Sequence, residues 1–370
     1  MKSTKACKHH ARTRVSLKNG VTAALKAIGI TIPAVDSCKG GRGDPMTRRL
    51  FLLAFALSPA ALMALAGAQQ SNHVPVVGVL MTSLGPDHPL MQTLWKRLRE
   101  LGYVDGQNIR FEFRGAQGQK DRLPDLAREL ARLKVDVILA GTEPAIWAAK
   151  DATGTIPIVM VAYASDPAAS GLIDSFGRPG GNLTGIFTRE TELVGKRVEL
   201  LKEAIPGLTR VAVLWDSFSR AGERDELAGA ARALGIQLDL MELKAPYNFQ
   251  AALRKAKKKG AGAIMTLFSP PFYVQSTQIA EAALASRLPM TGSTHEVTRA
   301  GGLISYGTDF QDNYYRAAYF IDRLLKGAKP SDLPVEQAAI FKLVVNLKTA
   351  KTLGIAIPQS ILLRADEVIK

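Results

Sequence analysis

The chain has few of the residues that most often carry covalent or metal chemistry. Of its 370 residues only two are cysteine and five are histidine, and aromatic residues make up 6%. Two cysteines cannot form a multi-disulfide scaffold or a four-cysteine zinc site. No cysteine follows residue 68, and the three later histidines, His73, His88 and His295, stand far apart in the sequence. We therefore expect neither a metal site nor a catalytic histidine pair.

Motifs that bind nucleotides or activate a nucleophile are also missing. The turn after the first predicted strand, at 81–86, lacks the G-x-G-x-x-G pattern of a dinucleotide site. The chain has no G-x-x-x-x-G-K-[ST] phosphate loop, no G-x-S-x-G nucleophile elbow and no H-E-x-x-H zinc motif. The sequence therefore predicts no cofactor and no catalytic residues.

The net charge of +15 is unevenly distributed along the chain. Residues 1–68 contain eleven Lys and Arg against two acidic residues, whereas the remaining 302 residues contain 37 against 31. A strongly basic chain would suggest nucleic-acid binding. Because the excess after residue 68 is only six positive charges, no nucleic-acid partner is expected.

An export signal is predicted at 46–68. The basic pair Arg48-Arg49 precedes an apolar run at 50–66, and Ala66-Gly67-Ala68 forms a small-residue cleavage pattern. The run has 17 residues and is short for a membrane span. The arginine pair fits either general secretion or a twin-arginine signal. The prediction is a periplasmic protein that begins at Gln69.

The segment 1–45 stands before a signal that should itself be N-terminal. It has no sustained hydrophobic period, so the prediction is either a non-native extension, with translation starting at Met46, or a disordered basic tail. No cysteine follows the apolar run, which argues against a lipoprotein anchor.

Strand and helix patterns alternate regularly from Val74 onward, which predicts parallel sheets with helical crossovers. Strands are predicted at 74–80, 108–113, 135–140, 156–162, 183–187, 210–215, 236–243, 263–268, 288–292 and 302–306. The segment 108–113 alternates polar and apolar residues, as an edge strand does. Predicted helices fill most of the gaps, at 89–101, 123–133, 144–152, 193–204, 224–234, 249–259, 273–286 and 314–325.

About a dozen strands exceed one ordinary open sheet, so the fold class is α/β with two Rossmann-like lobes. The tail adds a predicted strand at 338–347, a helix at 348–353 and an extended segment at 358–364. The predicted first lobe is 74–188 with about 310–335, and the predicted second lobe is 189–309 with about 336–370.

Candidate ligand contacts follow the predicted strands at their carboxyl ends, where open α/β sheets bind ligands. Hydroxyls and free N–H groups at helix starts suit a carboxylate, acids suit an ammonium group, and an aromatic ring can supply an apolar wall. Each residue could instead be a helix cap, so the set is more persuasive than any member. The candidates are Ser83, Thr142, Glu143, Ser165, Asp166, Trp215, Ser269, Ser293, Tyr306 and Asp309.

Several segments resemble one family across 74–367. They are LRELGYVDGQNI at 98–109, ATGTIPIV at 152–159, DP at 166–167, RPGGNLTG at 178–185 and IPQSILLRADE at 357–367. In combination these segments resemble the ABC transporter substrate-binding proteins that include the tryptophan-binding, TrpX-like lipoproteins.

The resemblance implies a type I periplasmic-binding-protein fold, with two lobes, a three-segment hinge and a small ligand clamped between them. It also implies an ABC permease of the inner membrane as partner, and an amino acid or similar small polar or aromatic solute as ligand. The protein is expected to be a monomer. Where the family commonly has Gly-Asp-Pro this chain has Ser165-Asp166-Pro167, so an aromatic ligand does not follow directly.

Two other functions remain open from the sequence. One is an enzyme on a doubly wound fold, because fold does not determine function; Asp166 and Glu143 would be its best candidate acids. The other is a sensor module that reports its closed state to a signalling receptor. A neighbouring permease and ATPase gene would favour transport over sensing.

Overall fold

The computed structural model describes residues 73–370, and the predicted signal peptide and the segment before it lie outside the described residues. Within 73–370, no helix combines the length and the apolar composition that crossing a membrane requires. The same part of the chain contains no group of three or more His, Cys, Asp or Glu side chains arranged to hold a metal ion.

The described residues form thirteen strands, and continuous apolar sequences such as that of β1 are buried on both faces, as central parallel strands are. In chain order they are β1 Val76–Met81, β2 Arg110–Gly115, β3 Val137–Ala140, β4 Ile158–Tyr163, β5 Leu183–Phe187, β6 Arg210–Trp215, β7 Gln237–Glu242, β8 Ala263–Thr266, β9 Met290–Gly292, β10 Ile304–Thr308, β11 Glu336–Gln337, β12 Phe341–Asn346 and β13 Glu367–Ile369.

Twelve α-helices lie between these strands in the described chain. Most bury one apolar stripe; in the second of them, Leu123, Leu126 and Leu130 face the core at helical spacing. The helices are α1 Pro89–Glu100, α2 Leu123–Arg132, α3 Glu143–Ala152, α4 Glu190–Ala204, α5 Ala221–Ala233, α6 Phe249–Lys258, α7 Pro270–Val274, α8 Ser276–Ala285, α9 His295–Arg299, α10 Phe310–Leu325, α11 Leu347–Leu353 and α12 Gln359–Leu362.

The strands make two separate sheets, each with its own core. The first sheet has the order β11-β5-β4-β3-β1-β2, and all its neighbours pair in parallel. The second has the order β13-β12-β10-β9-β8-β6-β7, with only the β10–β12 pair antiparallel. The two-lobed α/β fold class is therefore confirmed, and β2 lies at a sheet edge as its alternating sequence predicts. We call the parts built on the first and second sheets the first and second lobes.

The chain passes between the two lobes three times. It crosses at 188–189 from β5 into α4, returns at Asp309 between β10 and α10, and crosses again at 338–340 between β11 and β12. The crossings lie side by side. The Ala338 N–H donates to the Phe187 carbonyl oxygen at 2.7 Å, and the Asp309 N–H donates to the Ile340 carbonyl oxygen at 2.9 Å. Together they form one three-segment connection.

The tail differs from the sequence prediction in one element. The segment 358–364 is not extended, because Gln359–Leu362 is helical and the last strand comes later, at Glu367–Ile369. Its apolar residues suggested a strand, yet only Ile361 is buried and Leu363 is 77% exposed. The short strand Glu336–Gln337 pairs with β5 in the first sheet, next to the lobe boundary predicted at about residue 335.

Candidate functional site

A cleft separates the carboxyl ends of the two sheets. It contains a cavity of about 510 Å³ whose walls come from both lobes. Thr142, Glu143 and Trp147 line it from the first lobe, and the loop 217–220 lines it from the second, with Phe268. We call this space the outer cavity.

An ion pair crosses the cleft. Glu143 lies in the first turn of α3, and Arg220 directly precedes α5. The Arg220 Nε donates to the Glu143 Oε2 at 2.7 Å, and the two side chains are 14% and 25% exposed. The guanidinium carbon also lies 5.7 Å from the centre of the Phe268 ring. A partly buried pair between opposite charges is stronger than a surface pair, so it contributes to holding the lobes together.

An apolar chamber of about 30 Å³ lies next to the outer cavity and shares Thr142, Phe268 and Pro270 with it. Its remaining walls are Leu84, Leu90, Gly141, Ala162, Tyr273, Phe310 and Tyr314. We call this space the inner chamber. Burial raises the pKa of Tyr273 and of Tyr314 well above the usual value for a phenol, so both rings are neutral walls at physiological pH.

A buried hydrogen-bond network fixes the loop that carries Arg220. The carboxylate of Asp216 accepts from the Tyr247 hydroxyl at 2.8 Å, from the Ser269 hydroxyl at 2.7 Å and from the Phe218 N–H at 2.9 Å. Burial, followed by the hydrogen bond to Asp216, raises the pKa of Tyr247. Because each partner satisfies the buried carboxylate, the loop has one preferred position beside the cleft.

Four of the ten predicted contacts lie at or near the cleft. Thr142 and Glu143 line the outer cavity directly. Ser269 borders it from behind, where it donates to Asp216, and Ser293 shares with Ser269 a third cavity of only about 10 Å³.

Three predicted residues lie in the first lobe, outside the linings of the cleft spaces. Asp166 accepts from the Ala168 and Ala169 N–H groups at 2.8 and 3.0 Å, which caps the turn after β4, and Ser165 directly precedes it. The Ser83 hydroxyl, after β1, is buried without a hydrogen-bond partner. None of the three lines either of the two cleft spaces, and their role as ligand contacts stays a prediction.

The other three predicted residues belong to the second lobe and the hinge. The Trp215 ring lies under the guanidinium of Arg224, 4.3 Å from its carbon. Tyr306 packs on the second-lobe core. Asp309 caps α10 and forms an ion pair with Lys342 at 2.6 Å; although burial acts in the opposite direction, Lys342 keeps the pKa of this carboxyl low. These three also lie outside the linings of the two cleft spaces.

The ten candidates do not include four residues that complete the site: Arg220, Phe268, Tyr273 and Asp216. Arg220 follows the end of β6 by five positions and occupies a helix-preceding position where serine, threonine or asparagine is usual. Phe268 and Tyr273 read as ordinary apolar residues. Of these four residues, only Asp216 could have been found from the sequence, because it is a polar residue directly after the end of β6.

A buried charged cluster lies behind Arg220 in the second lobe. Glu190 and Arg197, both in α4, form an ion pair in which both side chains are almost completely buried. The Arg197 Nε also donates to the Tyr306 carbonyl oxygen at 2.7 Å, and the Thr308 N–H donates to Glu190 Oε1 at 2.9 Å. Glu223 of α5 completes the cluster and is fully buried.

Thr142→Ala is expected to weaken ligand binding without unfolding the protein. The Thr142 side chain borders both cleft spaces, and its hydroxyl is hydrogen-bonded to the Thr82 hydroxyl. Alanine removes one polar group that can contact the ligand, and such a contact is worth about 1 kcal/mol. Calorimetry should show a dissociation constant about fivefold higher, with an unchanged far-ultraviolet circular dichroism spectrum. An unchanged constant would remove Thr142 from the site.

Comparison with known proteins agrees with this architecture. The family profile described as ABC transporter substrate binding protein matches residues 88–369. A tyrosine-binding protein of Clostridioides difficile is 28% identical over 264 residues, covering 70% of this chain and 74% of that protein.

Two solved structures superpose on most of the chain. A conserved domain protein from Vibrio cholerae is 27% identical, with a TM-score of 0.71, and a Streptococcus pneumoniae domain in complex with L-Trp is 25% identical, with a TM-score of 0.69. Each match covers 80% of this chain and 100% of the other. The fold is that of type I periplasmic binding proteins, and the relatives are solute-binding proteins rather than enzymes. The chain belongs to the ABC transporter substrate-binding protein family.

Proposed function

We propose that this protein is the exported binding component of an ABC importer and that it closes around a free amino acid with an apolar side chain. Family membership supports the transport role, and two relatives are named or solved with aromatic amino acids, tyrosine and L-Trp. The observation that carries the ligand class is the Glu143–Arg220 pair across the cleft, beside an apolar chamber.

The two charges of this pair match the two charges of an amino acid. Arg220 offers a planar set of donors that suits a carboxylate, and Glu143 offers an acceptor for an ammonium group. Thr142 adds a hydroxyl at the same position. A zwitterion that enters between Glu143 and Arg220 replaces one direct ion pair by two, one to each lobe, and so links the lobes more strongly than the pair alone.

The inner chamber is the place for the side chain of the ligand. Its walls are apolar and aromatic, and Phe268 and Tyr273 approach it from the second lobe. At about 30 Å³ the chamber is small in this structure. An aliphatic or aromatic side chain therefore enters while the lobes are apart, and Phe268 and Tyr273 then close over it.

Closure follows from where the contacts lie. Ligand contacts from both lobes exist only when the lobes are together, so binding shifts the population toward the closed arrangement. The three adjacent crossings at 188–189, 309 and 338–340 provide the hinge. The closed form then docks on a membrane permease and releases the ligand; no covalent step is involved.

A thermal-shift screen of the purified protein against the twenty L-amino acids tests this proposal. Apolar amino acids, aliphatic or aromatic, should raise the melting temperature by several degrees, since a ligand at a hundred times its dissociation constant stabilises by about 2.7 kcal/mol. The methyl ester and the decarboxylated amine of the best amino acid, which lack the carboxylate, should give little or no shift.

Neutral sugars serve as the contrasting ligands in the same screen. Stabilisation by a sugar, and by none of the amino acids, would contradict the proposed ligand class. An exported protein should also be recovered from the periplasmic fraction with an N-terminus near Gln69, and retention of residues 46–68 in the mature protein would contradict export by cleavage of that signal.

A further inference from the structure

Glu223 is a buried carboxylate that lacks a hydrogen-bond partner in this structure. It follows Arg220 by three residues, its side chain is completely buried, and neither oxygen has a hydrogen-bond partner. The Nη1 of Arg220 lies 4.0 Å from its Oε1 and is itself buried without a partner. A buried charge is strongly unfavourable unless it is paired. The free Arg220 donor beside the free Glu223 acceptor therefore points to a second position of the guanidinium, in which the two form a hydrogen bond.

Arg220 therefore has a carboxylate on each side. On the cleft side its Nε donates to Glu143 of the first lobe at 2.7 Å. On the other side lies Glu223 of its own lobe. Separation of the lobes removes Glu143 and leaves Glu223 as the acidic side chain within reach.

Two other charged residues of the second lobe, Arg197 and Glu190, also act on Glu223. Arg197 and Glu190, from the helix packed against α5, form an ion pair with each other, and Arg197 also donates to the Tyr306 carbonyl. The Arg197 Nη1 is also buried without a partner, but it is the Arg220 Nη1 that lies within 4.0 Å of the Glu223 carboxylate.

We propose that Glu223 is a positioning residue that pairs with Arg220 when the lobes separate and thereby opposes closure of the empty cleft. This inference rests on the proposed function, because it names the residue that competes with Glu143 and with the ligand carboxylate for Arg220. The competition lowers ligand affinity, because the free energy needed to separate Arg220 from Glu223 is subtracted from the free energy gained on closure.

Protons take part in this exchange. Burial raises the pKa of Glu223, Arg220 and Arg197 act to lower it, and Glu190 acts to raise it. Direct pairing with Arg220 in the open form lowers the pKa of Glu223 relative to the closed form. Closure therefore takes up a proton, and ligand affinity increases as the pH falls from above the closed-form pKa toward the open-form pKa.

The variant Glu223→Gln keeps the shape of the side chain and removes its charge, and L-tryptophan is the probe. Without ligand, small-angle X-ray scattering should give a smaller radius of gyration than wild type, because Arg220 is free to stay with Glu143. With L-tryptophan, calorimetry should give a dissociation constant about fivefold lower at pH 7.5. The increase of affinity with falling pH that is expected for wild type should be flattened in this variant.

Asp225→Asn is the matched control, since Asp225 is an exposed acid on the same helix; it should behave as wild type in all three measurements. Weaker binding in Glu223→Gln, or an unchanged radius of gyration and pH profile, would overturn the proposal. If Glu223→Gln does not fold, calorimetry of wild type in two buffers of different ionisation enthalpy decides: proton uptake on binding supports the proposal and no uptake overturns it.

The outcome also separates this inference from the proposed function. If L-tryptophan and the other amino acids fail to bind wild type, the ligand class is wrong. The ligand-free scattering comparison still tests Glu223, and an equal radius of gyration in the two proteins overturns its role.

Discussion

Arg220→Met is expected to weaken amino-acid binding about a hundredfold. The guanidinium lies in the cleft at 14% exposure, where it pairs with Glu143 and stands over the Phe268 ring. Methionine preserves much of the apolar stem but leaves the ligand carboxylate without a cation in a closed, partly dry space. Truncation of one partner of a desolvated charge pair costs about 2–5 kcal/mol, and about 2.7 kcal/mol is a hundredfold in the dissociation constant.

Calorimetry with the amino acid that stabilises wild type most measures this loss, and the far-ultraviolet circular dichroism spectrum of the ligand-free variant should match that of wild type. Arg232→Ala is the matched control, because Arg232 is an exposed arginine in the last turn of the same helix. Arg220→Lys should retain part of the affinity, since it keeps the charge but not the planar donors. Equal affinities for Arg220→Met and wild type would place the carboxylate elsewhere.

Arg197→Met is expected to have the largest effect on stability. Arg197 and Glu190 are both almost completely buried, so removing the arginine leaves a carboxylate without its cation inside the second lobe. The Tyr306 carbonyl also loses the donor that lies 2.7 Å away. Breaking a buried pair by removing one partner costs about 3–5 kcal/mol, which should appear as a lower free energy of unfolding in urea.

Two comparisons distinguish the ion pair from general damage to the helix. The double variant Glu190→Leu/Arg197→Met removes both charges and should be more stable than Arg197→Met. Lys196→Ala breaks the exposed pair with Glu199 on the neighbouring face and should change the free energy of unfolding by less than about 1 kcal/mol. A loss in Lys196→Ala as large as that in Arg197→Met would mean that the buried pair is not the cause.

Much of the fold follows from the sequence because burial leaves a pattern there. Strands enclosed by helices, such as Val76–Met81, read as unbroken apolar runs, and the edge strand Arg110–Gly115 alternates because one of its sides is open. The prediction for the tail was wrong because apolar sequence and burial do not coincide there. Leu363 is apolar but exposed, so a local run of apolar residues there did not mark a buried strand.

The site was only partly predictable for a geometric reason. Thr142 and Glu143 come two and three residues after the end of β3, and the rule that ligands bind at strand ends finds them. Arg220 reaches the cleft from a loop, and its meeting with Glu143 joins residues 77 positions apart in different lobes. No local pattern encodes such a contact, because it depends on how the two lobes face each other.

The late return of the chain to the first sheet has a consequence for how the protein folds as it is made. The strand Glu336–Gln337 pairs with β5, and helix Phe310–Leu325 packs against β4. The first lobe therefore cannot complete its sheet or cover its apolar surface until nearly the whole chain has been synthesised. Domains usually fold in order as the N-terminus emerges, but here an exposed, unfinished lobe must stay free of aggregation in the meantime, and a fragment ending after β5 would not be a stable protein.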